Sequence, residues 1–549
     1  MPRFAMLEPG GDWAGGHTSV TDRRQTPPGL IQSSVRYHED LLRLKTRPPR
    51  SFLSLLGYAA LLTGCDIGND YRRPDLDLPA AYRATTATEA EAEAWPSAEW
   101  WQGFQSPQLN TLIEQARAQN FDIAAAIARV RQADARVRVA GAALLPDISG
   151  NGSGSWQHQG LRTGSISRAG TTTRGGGSNA SIDFHSYSAG LSATYELDFW
   201  GRNRATRQSA VASAMFSRFD QQTVALTVVT SVANTWFTAL SLADRLSVAR
   251  RNLADAEQTL AVIRGRFSAG TASQLDLAQQ DALVAGERAL IPNFSSQLEQ
   301  QLIALGLLTG QPPERIAVRP GTLTTLTLPL VAAGLPSGLL ARRPDVASAE
   351  AQLMAQNFSI TVARAAFFPS IQLTASGGYQ AAALNQLIMP GGAIASLAGG
   401  LTLPIFDGGT LRGQLDLAKG RYDELLADYR KSVVQAFTDV DTALTAWRFT
   451  SEQEALQRIA VEAARRASEI ARAQMAAGTV DIITVLNAQT TLFNDEDTLV
   501  QVRLARAQAL LNLYKAMGGG WQASNEQFPG LTPGMIPGAV ALPVGGNAR

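Results

Sequence analysis

The sequence predicts an α+β membrane protein. Four strands per chain would close, in a trimer, into a 12-stranded β-barrel continued by a long periplasmic α-helical barrel. Three observations predict this. The chain repeats itself; each copy carries a pair of strands with alternating faces; and each copy carries a helix far too long for a globular core.

The repeat comes first. RFSAGTASQLDLAQQ (Arg266–Gln280) lines up with QMAAGTVDIITVLNA (Gln474–Ala488) at an offset of 208. The same offset carries Ile303–Gly310 onto Leu511–Gly518. Upstream, Ala140–Ser153 resembles Ala363–Ser376 at an offset of 223, so the first copy holds a longer loop. That loop is the Gly/Ser/Thr/Arg-rich stretch Gln157–Ser181. The expected division is 1–64 extension and signal segment, 65–105 extended strap, 106–315 first copy, 316–343 linker, 344–518 second copy and 519–549 Pro/Gly-rich tail.

The strands are expected near 147–156, 183–200, 370–380 and 395–406. In the second, Ala189, Leu191, Ala193, Tyr195 and Leu197 alternate with Gly190, Ser192, Thr194, Glu196 and Asp198. One apolar and one polar face suits a sandwich or a lipid-facing barrel. Aromatics at the strand ends (Trp156, Tyr187, Phe199, Trp200, Tyr379, Phe406) favour the barrel.

The helices decide between them. Asn203–Arg264 holds neither Gly nor Pro for 62 residues, and Arg421–Ala477 neither for 57. At 1.5 Å per residue the first would run roughly 90 Å. Leu246, Ala249, Leu253, Ala256, Leu260 and Ile263 keep heptad spacing. Above them run two adjacent stripes, Val228-Val232-Trp236-Leu240 and Ala225-Val229-Ala233-Phe237, so the helix has neighbours on both sides. Four strands cannot close a barrel, and lipid does not tolerate an open edge. Three chains give a closed pore with the helices projecting beyond the membrane.

Composition narrows the class. Charged residues make up 17% of the 549 and the formal net charge is +1, which offers no electrostatic footing for nucleic acid. No uninterrupted apolar run reaches the roughly 18 residues of a spanning helix. A basic region (Arg43, Lys45, Arg47, Arg50) precedes the apolar Ser51–Gly64, and the only cysteine, Cys65, follows directly. Leu62-Thr63-Gly64-Cys65 resembles a bacterial lipobox, with diacylglycerol and an N-acyl chain on Cys65 as the expected covalent lipid. The plain alternative is a buried small hydrophobe; position at the end of a signal-like segment argues against it. Residues 1–42 fit no part of a signal segment. The expectation is a start codon nearer the basic region, with Val35 a candidate.

Three signatures then resemble one family. GCDIGNDYRRP (Gly64–Pro74), Leu340–Tyr379 (LARRPDVASAEAQLMAQNFSITVARAAFFPSIQLTASGGY) and LPIFDGGTLRGQLDLA (Leu403–Ala418) look like the lipoprotein branch of the TolC-type outer-membrane efflux proteins. The likeness spans about residues 60–520, with Asn69 where that branch usually has Pro. It implies a homotrimeric exit duct in the outer membrane. Its partners would be a periplasmic membrane-fusion adaptor and an inner-membrane resistance-nodulation-division (RND) pump, and it would carry small molecules outward. A duct for polypeptide secretion, or a periplasmic coiled-coil lipoprotein with no pore, are the rival readings. Asp66, directly after Cys65, is in some bacteria a signal for retention at the inner membrane.

The turns Ala269-Gly270-Thr271 and Ala477-Gly478-Thr479 join the long helix pairs at the far end of the duct. Gly there is expected as a C-cap and Thr as an N-cap. The resemblance adds adaptor contact at these tips. It also places Ile483 and Asn487, one turn apart, at the periplasmic aperture. Relatives often carry a carboxylate where Asn487 stands, so gate charge would fall to Asp481, Asp276 or Asp281. Those acids are equally explained as helix-end residues or solvated surface. No nucleophile elbow, phosphate loop or metal-ligand spacing occurs, so neither an enzyme nor a bound metal or other cofactor is expected.

Overall fold

A computed structural model describes residues 67–68, 71–76, 82–83, 95–161, 180–316, 321–329 and 336–522, all in the unit Thr63–Arg549. The first copy contains α1 (Pro107–Gln119), α2 (Phe121–Ala142), β1 (Asp147–Leu161), β2 (Ala180–Leu197), α3 (Arg202–Ser268) and α4 (Gln274–Thr309). The second contains α5 (Pro344–Ala365), β3 (Ser370–Ala381), β4 (Ala393–Thr402), α6 (Thr410–Ala476) and α7 (Ile482–Ala516). The duplication is metric. α2 and α5 have 22 residues each, α3 and α6 have 67 each, and α4 and α7 have 36 and 35. A 67-residue helix is about 100 Å long.

Each long helix lies along a partner made of two shorter ones. α4 packs on one part of α3 and α2 on another; α7 and α5 divide α6 in the same way. The break is spliced by glycine. Gly310 has φ +69°, and a Cβ there would overlap the Gln119 carbonyl at the end of α1. Gly518, its repeat counterpart, has φ +82° and sits against the Arg342 carbonyl. Asn120 seals the first splice: its amide donates to the Leu308 carbonyl (2.9 Å) and its oxygen accepts from the Asp122 and Ile123 amides. Arg343 seals the second. Its buried guanidinium bonds Asp345, Asp439 of α6 (2.9 Å) and the Ala516 carbonyl at the end of α7 (3.2 Å).

The expected stripes on α3 are buried. Val232, Trp236, Phe237 and Leu240 join Trp100, Phe104, Leu510 and Tyr514 in the main core, where Trp100 stacks on Tyr514 at 4.9 Å. α3 is long and apolar enough to pass for a membrane span, yet half of the apolar stretch is buried in this protein core. The 65–105 segment is not extended throughout: Trp100–Phe104 is a 3-10 helix plugged into that core. Earlier in the segment, Arg73 makes a bidentate pair with Glu350 of α5 (both bonds 2.8 Å), and Tyr71 packs beside it. Two of the sequence signatures therefore meet in one salt bridge. Burial, aided by Glu350, pushes the neighbouring Tyr429 hydroxyl up to about 12. Trp521 opens the 519–549 segment edge-on to Phe219 at 5.7 Å; 523–549 lie outside the described residues, as do Cys65, Asp66 and most of the Gly-rich loop.

The four strands form one antiparallel meander, β1-β2-β3-β4. Strand ends differ from expectation at β4, which stops at Thr402 rather than near 406, and at β2, which stops at Leu197. At β2 the reason is helix capping: Asp198 accepts from the Asn203 and Arg204 amides, so the chain turns before Phe199 and Trp200. At β4 it is Pro404, which has no N–H to give the ladder; Asp407, beyond Phe406, caps α6 by accepting from the Gly409 and Leu411 amides. The register sorts the faces. Ile148, Leu191, Ala193, Tyr195, Leu373 and Leu397 share one; Ser149, Ser192, Thr194, Ser376 and Ser396 share the other. The apolar face is bare: Leu191 is 63% and Leu397 82% exposed in the single chain. From the Trp156–Tyr187–Tyr379 level to Leu197 the sheet spans ten residues of β2. At a 40° tilt that is about 25 Å, the height of an outer-membrane apolar band.

The α6–α7 hairpin is clamped by charge. Glu454, buried, is bonded by Arg458 on its own helix and by Arg503 (3.2 Å) and Arg506 (2.9 Å) of α7. Burial opposes its ionisation, but the hydrogen bonds of Arg506, Arg458 and Arg503 outweigh it and hold the carboxyl below its usual value. Glu454→Gln should destabilise the protein by about 2 kcal/mol, a value reduced for the partly exposed arginines. Because the folded value is depressed, this stabilisation is full above about pH 4.3 and lost as pH falls through the folded value. Thermal midpoints of wild type and variant at pH 7 and pH 4 check both: the gap between them should narrow in acid.

Candidate functional site at the paired helix tips

The two tips have the same geometry. In the first, the Thr271 amide donates to the Arg266 carbonyl (2.9 Å) and the Gly270 amide to the Phe267 carbonyl (3.0 Å). In the second, Thr479 donates to Gln474 (2.9 Å) and Gly478 to Met475 (3.0 Å). These are Schellman motifs with Ala269 and Ala477 as C-caps, and Gly270 and Gly478 at φ +70° and +73°. The threonines are not N-caps. Each hydroxyl turns back to the carbonyl its own amide uses, at 3.0 Å. The N-caps are Ser273 and Asp481 two residues on, because a residue in extended conformation must precede the new helix.

This assigns the nearby acids. Asp276 completes a capping box, its carboxylate accepting from the Ser273 amide at 2.7 Å. Asp481 accepts from the Thr484 hydroxyl and amide (2.6 and 3.0 Å), which hold its carboxyl below the usual range. Asp281 accepts from Arg264 across the α3–α4 hairpin at 2.9 Å. Ile483 and Asn487 lie together on an exposed row of α7. The repeat puts Leu275 and Gln279 of α4 at the matching positions, a pair the sequence reading did not single out although the offset of 208 names it. Among the described residues no group of His, Cys, Asp and Glu could hold a metal ion.

One residue joins the tips to each other. Arg266, in the last turn of α3, donates to the Met475 carbonyl (2.5 Å) and to Ala476 (3.4 Å) at the end of α6. A guanidinium there meets the negative end of the α6 dipole and orphan carbonyls. Sequence reasoning missed it. The available signal was the broken symmetry, since Gln474 occupies its place in the second copy. Higher up, Arg472 of α6 reaches Asp255 of α3 (3.3 Å), and the buried Gln489 of α7 donates to Thr259 of α3 (3.0 Å).

Fold and tips together define a class: a membrane-barrel protein with a lipid-facing sheet at one end and four helix ends meeting about 100 Å away. The chain belongs to the outer membrane efflux protein family, whose profile matches residues 112–311 and 335–519, one stretch on each copy. It is similar to the pyoverdine export outer membrane protein OpmQ of Pseudomonas aeruginosa, 39% identical over 477 residues, covering 86% of this chain and 98% of the relative. It is 32% identical to the toluene efflux pump outer membrane protein TtgC of Pseudomonas putida, covering 87% and 97%. Among solved structures, the outer-membrane channel OprN superposes with a TM-score of 0.76 at 26% identity, covering 84% of this chain and all of that one. The protein is an outer-membrane efflux channel of α+β fold.

Arg266→Ala should leave the fold intact and loosen the tips. Spin labels on Thr271→Cys and Thr479→Cys, in a Cys65-blocked background, should report a broader distance distribution in the variant than in its parent.

Proposed function

We propose that three copies form the exit duct of a tripartite efflux system. It would take small molecules from an inner-membrane RND pump, through a periplasmic membrane-fusion adaptor, across the outer membrane. The observation that carries this is the sheet: four strands, a bare apolar face, and β1 and β4 each with a free edge among the described residues. An open edge in lipid leaves backbone groups without partners, and pairing β1 with β4 of the next copy removes every edge. The names of the relatives, one exporting pyoverdine and one toluene, support a small-molecule cargo.

The tips Ala269-Gly270-Thr271 and Ala477-Gly478-Thr479 serve in this reading as adaptor contacts. Ile483 and Asn487 line the closed aperture, with Asp276, Asp281 and Asp481 as its nearest acids. Cys65 carries lipid. Its reach supports that: Glu350, which moors Arg73, lies 15 residues before the barrel end of α5, a rise of about 22 Å. The eight residues from Arg73 back to Cys65 extend up to about 27 Å, enough to set an acyl chain in the inner leaflet.

Purified protein should insert in planar bilayers as a trimer and conduct; a trimer silent even with adaptor present would favour the non-pore reading. Ser188→Cys should react with an aqueous thiol reagent and Leu191→Cys should be shielded by lipid, since the register puts them on opposite faces. Wild type should incorporate labelled palmitate and Cys65→Ser should not, while the variant keeps residual efflux because the barrel itself holds the trimer.

A further inference from the structure

The polar sheet face carries an unusual lining. Strand by strand, from Ser149 to Gln159, Ile182 to Thr194, Ser370 to Gln380 and Ile394 to Thr402, it presents no charged side chain. Serine hydroxyls pair with each other across the strands: Ser149 with Ser192 (2.9 Å), Ser153 with Ser188 (2.8 Å) and Ser376 with Ser396 (2.7 Å). Gln380 adds a bond to Ser186 at 3.2 Å. A charge-silent face in a protein whose helices are laced with ion pairs is not a compositional accident of the chain. Among the described residues, charge on this face sits at one level only, the helix-side end, where Asp147 and Glu196 stand on adjacent strands. Arg202 lies 3.9 Å from Glu196 and offsets it in part.

We propose that the barrel section of the duct sorts cargo by size and hydration rather than by charge. It serves water-soluble, hydrogen-bonding molecules, anionic or cationic, and Asp147 and Glu196 at its inner end are the one place where it reads charge. This rests on the reading that the polar face lines the lumen of a trimeric barrel.

Each serine pair uses one of its two O–H donors, so the wall has fewer free donors with which to hold a passing solute. The bonds it still offers replace solute–water bonds of similar strength, for a net of about 1 kcal/mol or less each. A wall of this kind wets but does not grip. Twelve strands at about 4.8 Å spacing and 40° tilt close to a backbone diameter of about 24 Å. Side chains of about 5 Å on each side leave a bore of about 14 Å. The carboxylate collar therefore stands about 7–9 Å from the axis. That is inside the Debye length of about 10 Å at 0.1 M salt and well outside the 3 Å of 1 M salt, so the collar's field reaches cargo only at low salt.

The test uses the full-length trimer in planar bilayers. Polymers narrower than about 14 Å should enter and lower the conductance, and wider ones should not. In a KCl gradient at 1 M mean salt the cation-to-anion permeability ratio should lie within about threefold of unity, rising modestly at 0.1 M. Asp147→Asn with Glu196→Gln should reduce that rise, leaving only what the aperture acids Asp276, Asp281 and Asp481 contribute. Ser153→Asp with Ser376→Asp should push the ratio well beyond wild type, since these positions face the path. A wild-type ratio above about tenfold at 1 M salt, or no response to the two introduced aspartates in a conducting trimer, overturns the inference. Absence of conductance even with adaptor present, or a Ser188→Cys that aqueous reagent cannot reach, overturns instead the duct reading beneath it.

Discussion

The requirement that lipid imposes on backbone hydrogen bonds shapes everything else in this protein. Every N–H and C=O in the hydrocarbon layer must find a partner inside the protein. Four strands leave two rows of such groups open, at β1 and at β4. The chain cannot satisfy them alone by bending, because a closed barrel needs about eight strands. It must be completed by copies of itself, and the rotational closure that completes the sheet also sets the helices side by side below it. A duct follows from the edge constraint as directly as from any residue in it.

The helical half solves a different problem, how to hold a wall about 100 Å long without a thick core. Packing supplies the heptad stripe of α3 and the aromatic cluster at mid-height. Charge pins the register between elements. Arg73 on Glu350, Arg343 on Asp439 and three arginines on Glu454 each join elements that apolar contact alone would let slide. Arg343 and Asn120 stand at the splices where one helix ends against another, so the broken partner behaves as one rod. Arg266 extends this logic to the tip, where it holds the two hairpins to each other through the carbonyls of α6.

Much of this was legible in the sequence for reasons that are local. Strand alternation reads from a period of two, and the 62-residue stretch without Gly or Pro reads as a helix because nothing in it interrupts one. The tip turns read from Gly270 and Gly478, since only a residue tolerant of positive φ closes a Schellman motif cheaply. The threonines misled because Thr is a good N-cap in isolation, and whether it caps the next helix or closes the last one depends on two residues of spacing. The aromatics after β2 and β4 misled similarly. They continue the apolar pattern, but Asp198 turns the chain ahead of Phe199 and Trp200, and Pro404, with no N–H to give the ladder, ends pairing ahead of Phe406.

By itself the sequence determined the architecture: the duplication, the strands with their faces, the long helices, and the need for partner copies. Periodicity and breaker residues encode these, and both are properties of neighbours in the chain. Only the tertiary structure decided which distant residues meet. The Arg73–Glu350 pair spans 277 positions and the Arg266 bond to α6 spans 209, and no local pattern marks either. The serine pairs belong to the same group, because each needs a strand register that the fold alone establishes. Long-range electrostatic and hydrogen-bond partners depend on how elements stack in three dimensions, and that is settled by the whole molecule at once.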